Sequence, residues 1–246
     1  MGNLSLKDFA FFAGLWDSGS ATLGDFSEFV SGWLDELSLI THLEFNALSG
    51  SIAADSSDCS CDGELMNMDG FDWVAGKTGN ALDFDGVNDY VELPCFVSWT
   101  GSAPRTVAAW IKTDTTGEIV SWGSASPGEK WILRVQSDNG TAGAIRAEVG
   151  NGYVVGSTDL RDGDWHHVAA VLEAGDSDIL DVKLYVDGQL EALSDSVGPQ
   201  PINTSAEANI KIGVFTGSDR YFDGLIDDAH IYSRGLSAAE IQALAA

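Results

Sequence analysis

Basic residues are scarce in this chain of 246 residues: Lys+Arg number 12 against 38 Asp+Glu, for a net charge of -26. Such a surface repels phosphate backbones and anionic headgroups, which argues against nucleic acid as a partner and leaves solvation or divalent cations to account for the carboxylates. Long apolar runs are also missing. No stretch approaches the roughly 18 consecutive apolar residues that cross a bilayer as a helix, and Met1 is not followed by a basic segment and an apolar core. The expectation is a soluble chain without membrane insertion, either one whose export signal has been removed or an intracellular one. Cysteine is limited to Cys59, Cys61 and Cys95, an odd count. One disulfide from Cys95 to either Cys59 or Cys61 is expected, with one thiol left over. The Cys59-Ser60-Cys61 pair lacks the further cysteine or histidine that a zinc site needs.

The chain is long enough for one large β-sandwich or two ordinary domains. Its first 36 residues contain a repeat: Leu6, Phe9, Phe12 and Trp16 recur as Leu23, Phe26, Phe29 and Trp33, at a constant offset of 17. Each copy places large apolar residues on one face of an amphipathic helix, with an aspartate near its start. Two helices this short cannot bury those faces alone. Phe9, Phe12, Trp16, Phe26, Phe29 and Trp33 are therefore expected to pack on each other, on the following domain or on a neighbouring copy. From residue 37 onward short β-rich runs alternate with Gly, Asp, Asn and Ser clusters, the texture of an antiparallel sandwich. The division predicted is a helical hairpin at 1–36 and an all-β domain at 37–246. Tyr185-Val186-Asp187-Gly188-Gln189-Leu190 is the strongest hairpin signal, because Asp-Gly supplies the positive φ of a tight primed turn. Ser237 and Glu240 form a capping box for a closing helical turn.

Two segments are the most distinctive: Phe84-Asp85-Gly86-Val87-Asn88-Asp89-Tyr90-Val91 and Gly224-Leu225-Ile226-Asp227-Asp228-Ala229-His230-Ile231-Tyr232. With Trp73-Val74-Ala75-Gly76-Lys77-Thr78-Gly79-Asn80-Ala81-Leu82, Asp164-Trp165-His166-His167-Val168-Ala169 and Leu184-Tyr185-Val186-Asp187-Gly188, they resemble the laminin-G-like domain of the concanavalin A-like lectin/glucanase jelly rolls. The resemblance implies an all-β, antiparallel jelly-roll β-sandwich, preceded here by the small N-terminal helical hairpin. That hairpin resembles a duplicated dockerin-type, EF-hand-like module found beside jelly-roll domains in planctomycete surface proteins. The loop between its helices, Trp16-Asp17-Ser18-Gly19-Ser20-Ala21-Thr22, lacks the alternating ligands of a calcium loop, so the helices are expected to cap the sandwich or mediate self-association. In related laminarinase and lichenase sandwiches a structural calcium ties the chain ends together. The resemblance places its ligands on Asp227, Gly86 and Glu44, hard oxygen donors suited to Ca2+.

Sandwich glycosidases that retain configuration carry two carboxylates about 5 Å apart, usually spaced as Glu-x-Asp-x-Glu or Glu-x-Asp-x-x-Glu on one strand. No such spacing occurs, so an enzyme is not expected, and a glycoside hydrolase is the disfavoured alternative. His166 and His167 would point to opposite faces of a strand and cannot chelate one ion together. Sugar recognition needs aromatic platforms beside planar polar groups. Trp122, Arg134, Arg146, Glu148 and Tyr153 lie on strands expected to form the concave sheet, with Arg146 and Glu148 on one face. The function expected is a non-catalytic recognition or adhesion module, extracellular or at the cell surface, that binds glycan or a surface protein. The alternative is a structural subunit of a surface layer or filament joined through the N-terminal helices.

Overall fold

The computed structural model describes Thr22 and residues 38–95, 99–215 and 220–246. The expected hairpin at 1–36, with Phe9, Phe12, Trp16, Phe26, Phe29 and Trp33, lies outside the described residues.

The described strands run in chain order as β1 (Leu39–Leu43), β2 (Ile52–Ala53), β3 (Gly63–Met66), β4 (Trp73–Ala75), β5 (Asn80–Asp85), β6 (Tyr90–Leu93), β7 (Arg105–Lys112) and β8 (Gly117–Gly123). They continue as β9 (Lys130–Val135), β10 (Ile145–Glu148), β11 (Tyr153–Val155), β12 (Trp165–Leu172), β13 (Lys183–Val186), β14 (Gln189–Leu190), β15 (Asp195–Val197), β16 (Ile210–Ile212) and β17 (Asp223–Tyr232). A helix, α1 (Ala238–Leu244), follows. One eight-stranded sheet is ordered β14-β13-β12-β7-β17-β5-β4, with β1 also paired to β17. The other has nine strands, ordered β15-β11-β10-β9-β8-β16-β6-β3-β2. All the pairings are antiparallel, as the expected sandwich requires.

Strand alternation builds the core between the sheets. In β7, Val107, Ala109 and Ile111 face inward, and in β12 Val168, Ala170 and Leu172 do the same. Their neighbours Ala108, Ala169 and Val171 face the other way, into a smaller cluster with Tyr185, Tyr232, Leu236 and Ile241, where α1 lies on the eight-stranded sheet. The small side chains of Ala108 and Ala169 leave room for the helix. Its capping box forms as expected, with Ser237 accepting from the Glu240 backbone. The β13–β14 hairpin also forms, with Asp187 at φ 49° and Gly188 at φ 75°. Asp178 and Asp181, in the acidic stretch before β13, cap a turn of 3-10 helix.

The structure selects one cysteine pairing. Cys61 and Cys95 are joined, with Cα atoms 5.7 Å apart, while Cys59 is a free and exposed thiol. Closing a loop across a separation of 34 residues removes unfolded-chain entropy equivalent to about 4 kcal/mol.

Candidate functional site

The face of the nine-stranded sheet turned away from the core carries an unusual concentration of charge. Trp131, Leu133 and Val135 of β9 and Ile145 and Ala147 of β10 enter the core, so the alternate residues Arg134, Arg146 and Glu148 project from the opposite face. Register then brings them together. Arg134 sits between Glu118 of β8 and Arg146 of β10, and Glu148 sits between Ile132 of β9 and Tyr153 of β11.

Glu148 is the hub. It accepts Lys130 through one carboxylate oxygen, and through the other meets Arg146 at 2.8 Å and Arg134 at 3.5 Å. Burial on its own would raise its carboxyl, but Lys130, Arg146 and Arg134 outweigh that and hold it below the usual carboxylate range. Glu118, fully buried, is bonded to Arg220 at 2.7 Å, yet burial pushes its carboxyl up. The Arg146 guanidinium lies 3.7 Å over the Tyr153 ring, and the Tyr153 hydroxyl donates to Asp195 at 3.1 Å. Lys130, Arg134, Arg146 and Arg220 thus gather on two glutamates, in a chain with 12 basic residues in all. Several polar atoms on this face are buried without a partner among the described residues: Arg146 Nε and Nη1, Arg134 Nε and Glu118 Oε2. Protein interiors seldom leave such atoms unpaired, because each forfeits its hydration for nothing.

Trp122 does not join this face. It is 2% exposed, packs inside the sandwich at 5.9 Å from Trp131, and donates its indole N–H to the Trp99 carbonyl at 3.2 Å. The cause is a register shift in β8 between Glu118 and Val120, which inserts Ile119 and reverses the alternation beyond it. Glu118 therefore points out while Trp122 points in. Arg105 fills the space beside it, its guanidinium 5.0 Å from the Trp131 ring and 5.6 Å from that of Trp122. Lys130, Glu118 and Arg220 belong to the polar face but were not among the expected site residues. The signal for Glu118 was a lone charge in an otherwise apolar strand, and that for Lys130 its even spacing from Arg134 along β9; Arg220 comes from a loop and left none.

The carboxylate expected to hold calcium is also singular. Asp227 is completely buried; its Oδ2 accepts from the Thr78 backbone at 3.0 Å and its Oδ1 has no partner among the described residues. Burial pushes its carboxyl up to about 6. The turn beside it is shaped by glycine: a β-carbon on Gly76 would come within 2.6 Å of Asp227 Oδ2 and 2.5 Å of the Asn80 carbonyl oxygen. Asn46 reaches the same turn, accepting from the Asn80 backbone N–H at 3.0 Å and donating from its Nδ2 to the Glu44 carboxylate at 3.2 Å.

Gly86 is elsewhere. Its N–H donates to the Phe222 carbonyl at 3.0 Å, and five residues of extended chain from Phe222 to Asp227 span about 17 Å. Because β5 and β17 are antiparallel, with Asp223 opposite Asp85 and Ile226 opposite Leu82, residues beyond Ile226 meet the start of β5 rather than its end. The turn that meets Asp227 is therefore 76–80, and Gly86 is corrected out of the expected ligand set. The unpartnered Oδ1 is the kind of donor a hard cation takes, while the 76–80 turn directs a backbone N–H at the other oxygen.

The sequence from residue 85 to 242 matches the family model for the concanavalin A-like lectin/glucanases superfamily. No curated protein matches the chain. Among solved structures it resembles domain 4 of AbnA, a GH43 extracellular arabinanase from Geobacillus stearothermophilus, in complex with arabinotriose, with a TM-score of 0.63 and 22% identity over 85% of this chain and 98% of that one. The binding domain of Paraclostridial Mosquitocidal Protein 1 gives a TM-score of 0.60 at 13% identity, over 85% of this chain and 52% of that one. Trypanosoma rangeli sialidase in complex with the inhibitor DANA gives 0.53 at 20% identity, over 84% of this chain and 32% of that one. At these identities the structural likeness shows the fold.

Proposed function

We propose that this chain, which belongs to the concanavalin A-like lectin/glucanases superfamily, is a non-catalytic glycan-recognition module that uses the outward face of the nine-stranded sheet. The observation that carries the reading is Arg146, buried against Tyr153 with Nε and Nη1 unpartnered. A guanidinium presents its N–H groups as a planar fork, and adjacent sugar hydroxyls accept such a pair while the sugar's apolar face lies near an aromatic ring. Domain 4 of the arabinanase, of the same fold, was solved with arabinotriose, which makes arabino-oligosaccharides the first probe. Calorimetry should detect arabinotriose or another glycan from a panel, and Arg146→Lys, which keeps the charge but not the fork, should lose that binding. A ligand whose affinity is unchanged in Arg146→Lys would remove this face from recognition.

Calcium belongs to the same proposal as a structural ion held by Asp227, with the 76–80 turn and the segment that follows Glu44 beside it. Bound there, it would offset the cost of burying the carboxylate and tie the turn to the last strand. Calcium should raise the melting temperature relative to chelator by mass action on the folded state, and Asp227→Ala should abolish the increment. Equal melting in calcium and chelator would sink this part. The Cys61–Cys95 disulfide supports an oxidising, extracellular setting.

A hydrolytic reading has one observation in its favour. Glu118 is pushed up and Glu148 held down, the divergence that separates a general acid from a base. Against it, both Glu148 oxygens are engaged by cations, and Arg134 stands between the two glutamates. Strand spacings put their Cα atoms about 12 Å apart. Reducing ends released by wild type but not by Glu148→Gln would establish hydrolysis instead.

A further inference from the structure

The bulge that follows Asp227 builds a second, chemically different cluster. Pairing of β17 with β7 slips between Asp227 and His230, and Asp228 adopts φ 50°, a left-handed conformation that a non-glycine residue holds only where its surroundings fix it. The slip aims the Asp228 side chain at His42 of β1, whose Nε2 lies 2.6 Å from Asp228 Oδ1. The His230 ring stacks on that of His42, with centroids 3.9 Å apart. One ligand atom from each of His42, Asp228 and His230 lies within 4.8 Å of the others.

Hydrogen bonds around the cluster orient both rings. His230 Nδ1 sits 2.8 Å from the Asp228 carbonyl oxygen, which can only accept, so Nδ1 carries the proton and Nε2 of the neutral ring is a free donor to a metal. His42 Nδ1 faces Ser56 Oγ at 2.9 Å, and that hydroxyl donates to the His42 carbonyl at 3.2 Å. The hydroxyl can also donate to Nδ1 or accept from it, so Ser56 fixes the orientation of the ring and not its tautomer. His42 Nε2 is thereby aimed at a carboxylate oxygen 2.6 Å away. A proton on Nε2 bridges the two in the metal-free chain, and a metal ion would take its place.

We propose that His42 Nε2, the Asp228 carboxylate and His230 Nε2 bind a divalent first-row transition ion, with zinc as the working case. Two imidazoles and one carboxylate suit zinc, copper or nickel and are a poor set for calcium. The Ser56 hydroxyl and the Asp228 carbonyl supply the outer hydrogen bonds that orient both rings. Side-chain exposure of 21% at His42 and 30% at Asp228 leaves an approach from solvent and room for a water as fourth ligand. The net charge of -26 raises the local concentration of any cation. Asp227 and Asp228, adjacent in sequence, would thus serve a hard and a borderline ion on the two sides of one bulge.

The test is zinc titration by calorimetry of the metal-stripped full chain, without an affinity tag and in a Cys59→Ser background, because the exposed thiol is a competing soft ligand. One equivalent should bind, and excess calcium should not displace it. His42→Gln and His230→Gln should each weaken it by about tenfold or more, while Asp227→Asn should not. His42 is partly exposed, so its variant serves if His230→Gln fails to fold. With Cu2+ in place of zinc, electron paramagnetic resonance should report two nitrogen donors in the parent and one in His42→Gln. Failure to bind one equivalent, binding unaltered in His42→Gln, or binding lost in Asp227→Asn would overturn the proposal.

Discussion

The two sheets expose opposite chemistries on their outward faces, although the same alternation creates both. On the eight-stranded sheet the outward positions near β7 and β12 are Ala108, Ala169 and Val171, and α1 is laid over them with Leu236 and Ile241. On the nine-stranded sheet they are Glu118, Arg134, Arg146 and Glu148, which cover one another and leave donors unpaired. Where the helix closes it, the face of the eight-stranded sheet contributes stability. A face closed only by its own charges keeps unspent hydrogen-bonding capacity, which is what recognition draws on.

Removing the hub of the charged face should have the largest effect. Glu148→Ala strands Lys130, Arg134 and Arg146 and should cost about 3–5 kcal/mol in denaturant unfolding, because breaking one partner of a buried ion network leaves charge uncompensated. A cost under about 1 kcal/mol would mean that this face is effectively wet and the contrast between the sheets overstated.

The helix-covered face offers the reciprocal experiment. Ile241, fully buried on the inner side of α1, should cost about 3 kcal/mol as Ile241→Ala and leave any glycan affinity unchanged. Weakened binding in that variant would show that the two faces are coupled through the core.

The smallest effect concerns the ion pair that anchors α1. Arg234 bonds Glu240 at 2.7 Å, and with the Ser237 contacts this lowers the Glu240 carboxyl to about 2 from an ordinary 4.5. The folded state thus holds the proton more weakly than the unfolded chain. The contribution is complete above about pH 4.5 and is lost as pH falls toward 2. Glu240 is partly exposed, so solvent screening reduces it to about 1 kcal/mol. Acid unfolding of Glu240→Gln should begin from a lower plateau and fall less steeply; an identical acid limb would remove the pair from the stability of the helix.

How much of this was readable beforehand depends on register. The sandwich, the Asp187-Gly188 hairpin and the Ser237 cap follow from local patterns, and they stand where those patterns put them. Arg146 and Glu148 share a face because β10 alternates without interruption, and strand register brings Arg134 and Tyr153 beside them. Trp122 does not join them, since one inserted residue in β8 exchanges the two faces and nothing in Gly117-Glu118-Ile119-Val120-Ser121-Trp122 announces it. Gly86 failed for a related reason: the pairing of β5 with β17, which neither strand states alone, decides which turn Asp227 meets. The cysteine ambiguity was resolved by burial, with Cys61 inside and Cys59 outside. Arg220 reaches Glu118 from 102 positions away, a contact invisible without the fold.

The pairing of β1 with β17 has a mechanical meaning. Leu39 stands opposite Tyr232, so the first and last of the described strands lie side by side and begin and end at the same rung. Just beyond that rung, Ser233 and Arg234 clasp Ser38 through its carbonyl at 2.8 Å and its hydroxyl at 3.0 Å. Tension applied ahead of Leu39 and beyond Tyr232 would pull across the ladder, where antiparallel hydrogen bonds lie along the direction of load and fail one at a time. The join would open like a zipper, starting at the Ser38 clasp, and shed load gradually. Pulled along its strands the same ladder would have to break at once, so the fold yields softly to traction on its flanking segments and stiffly to traction along the sheet.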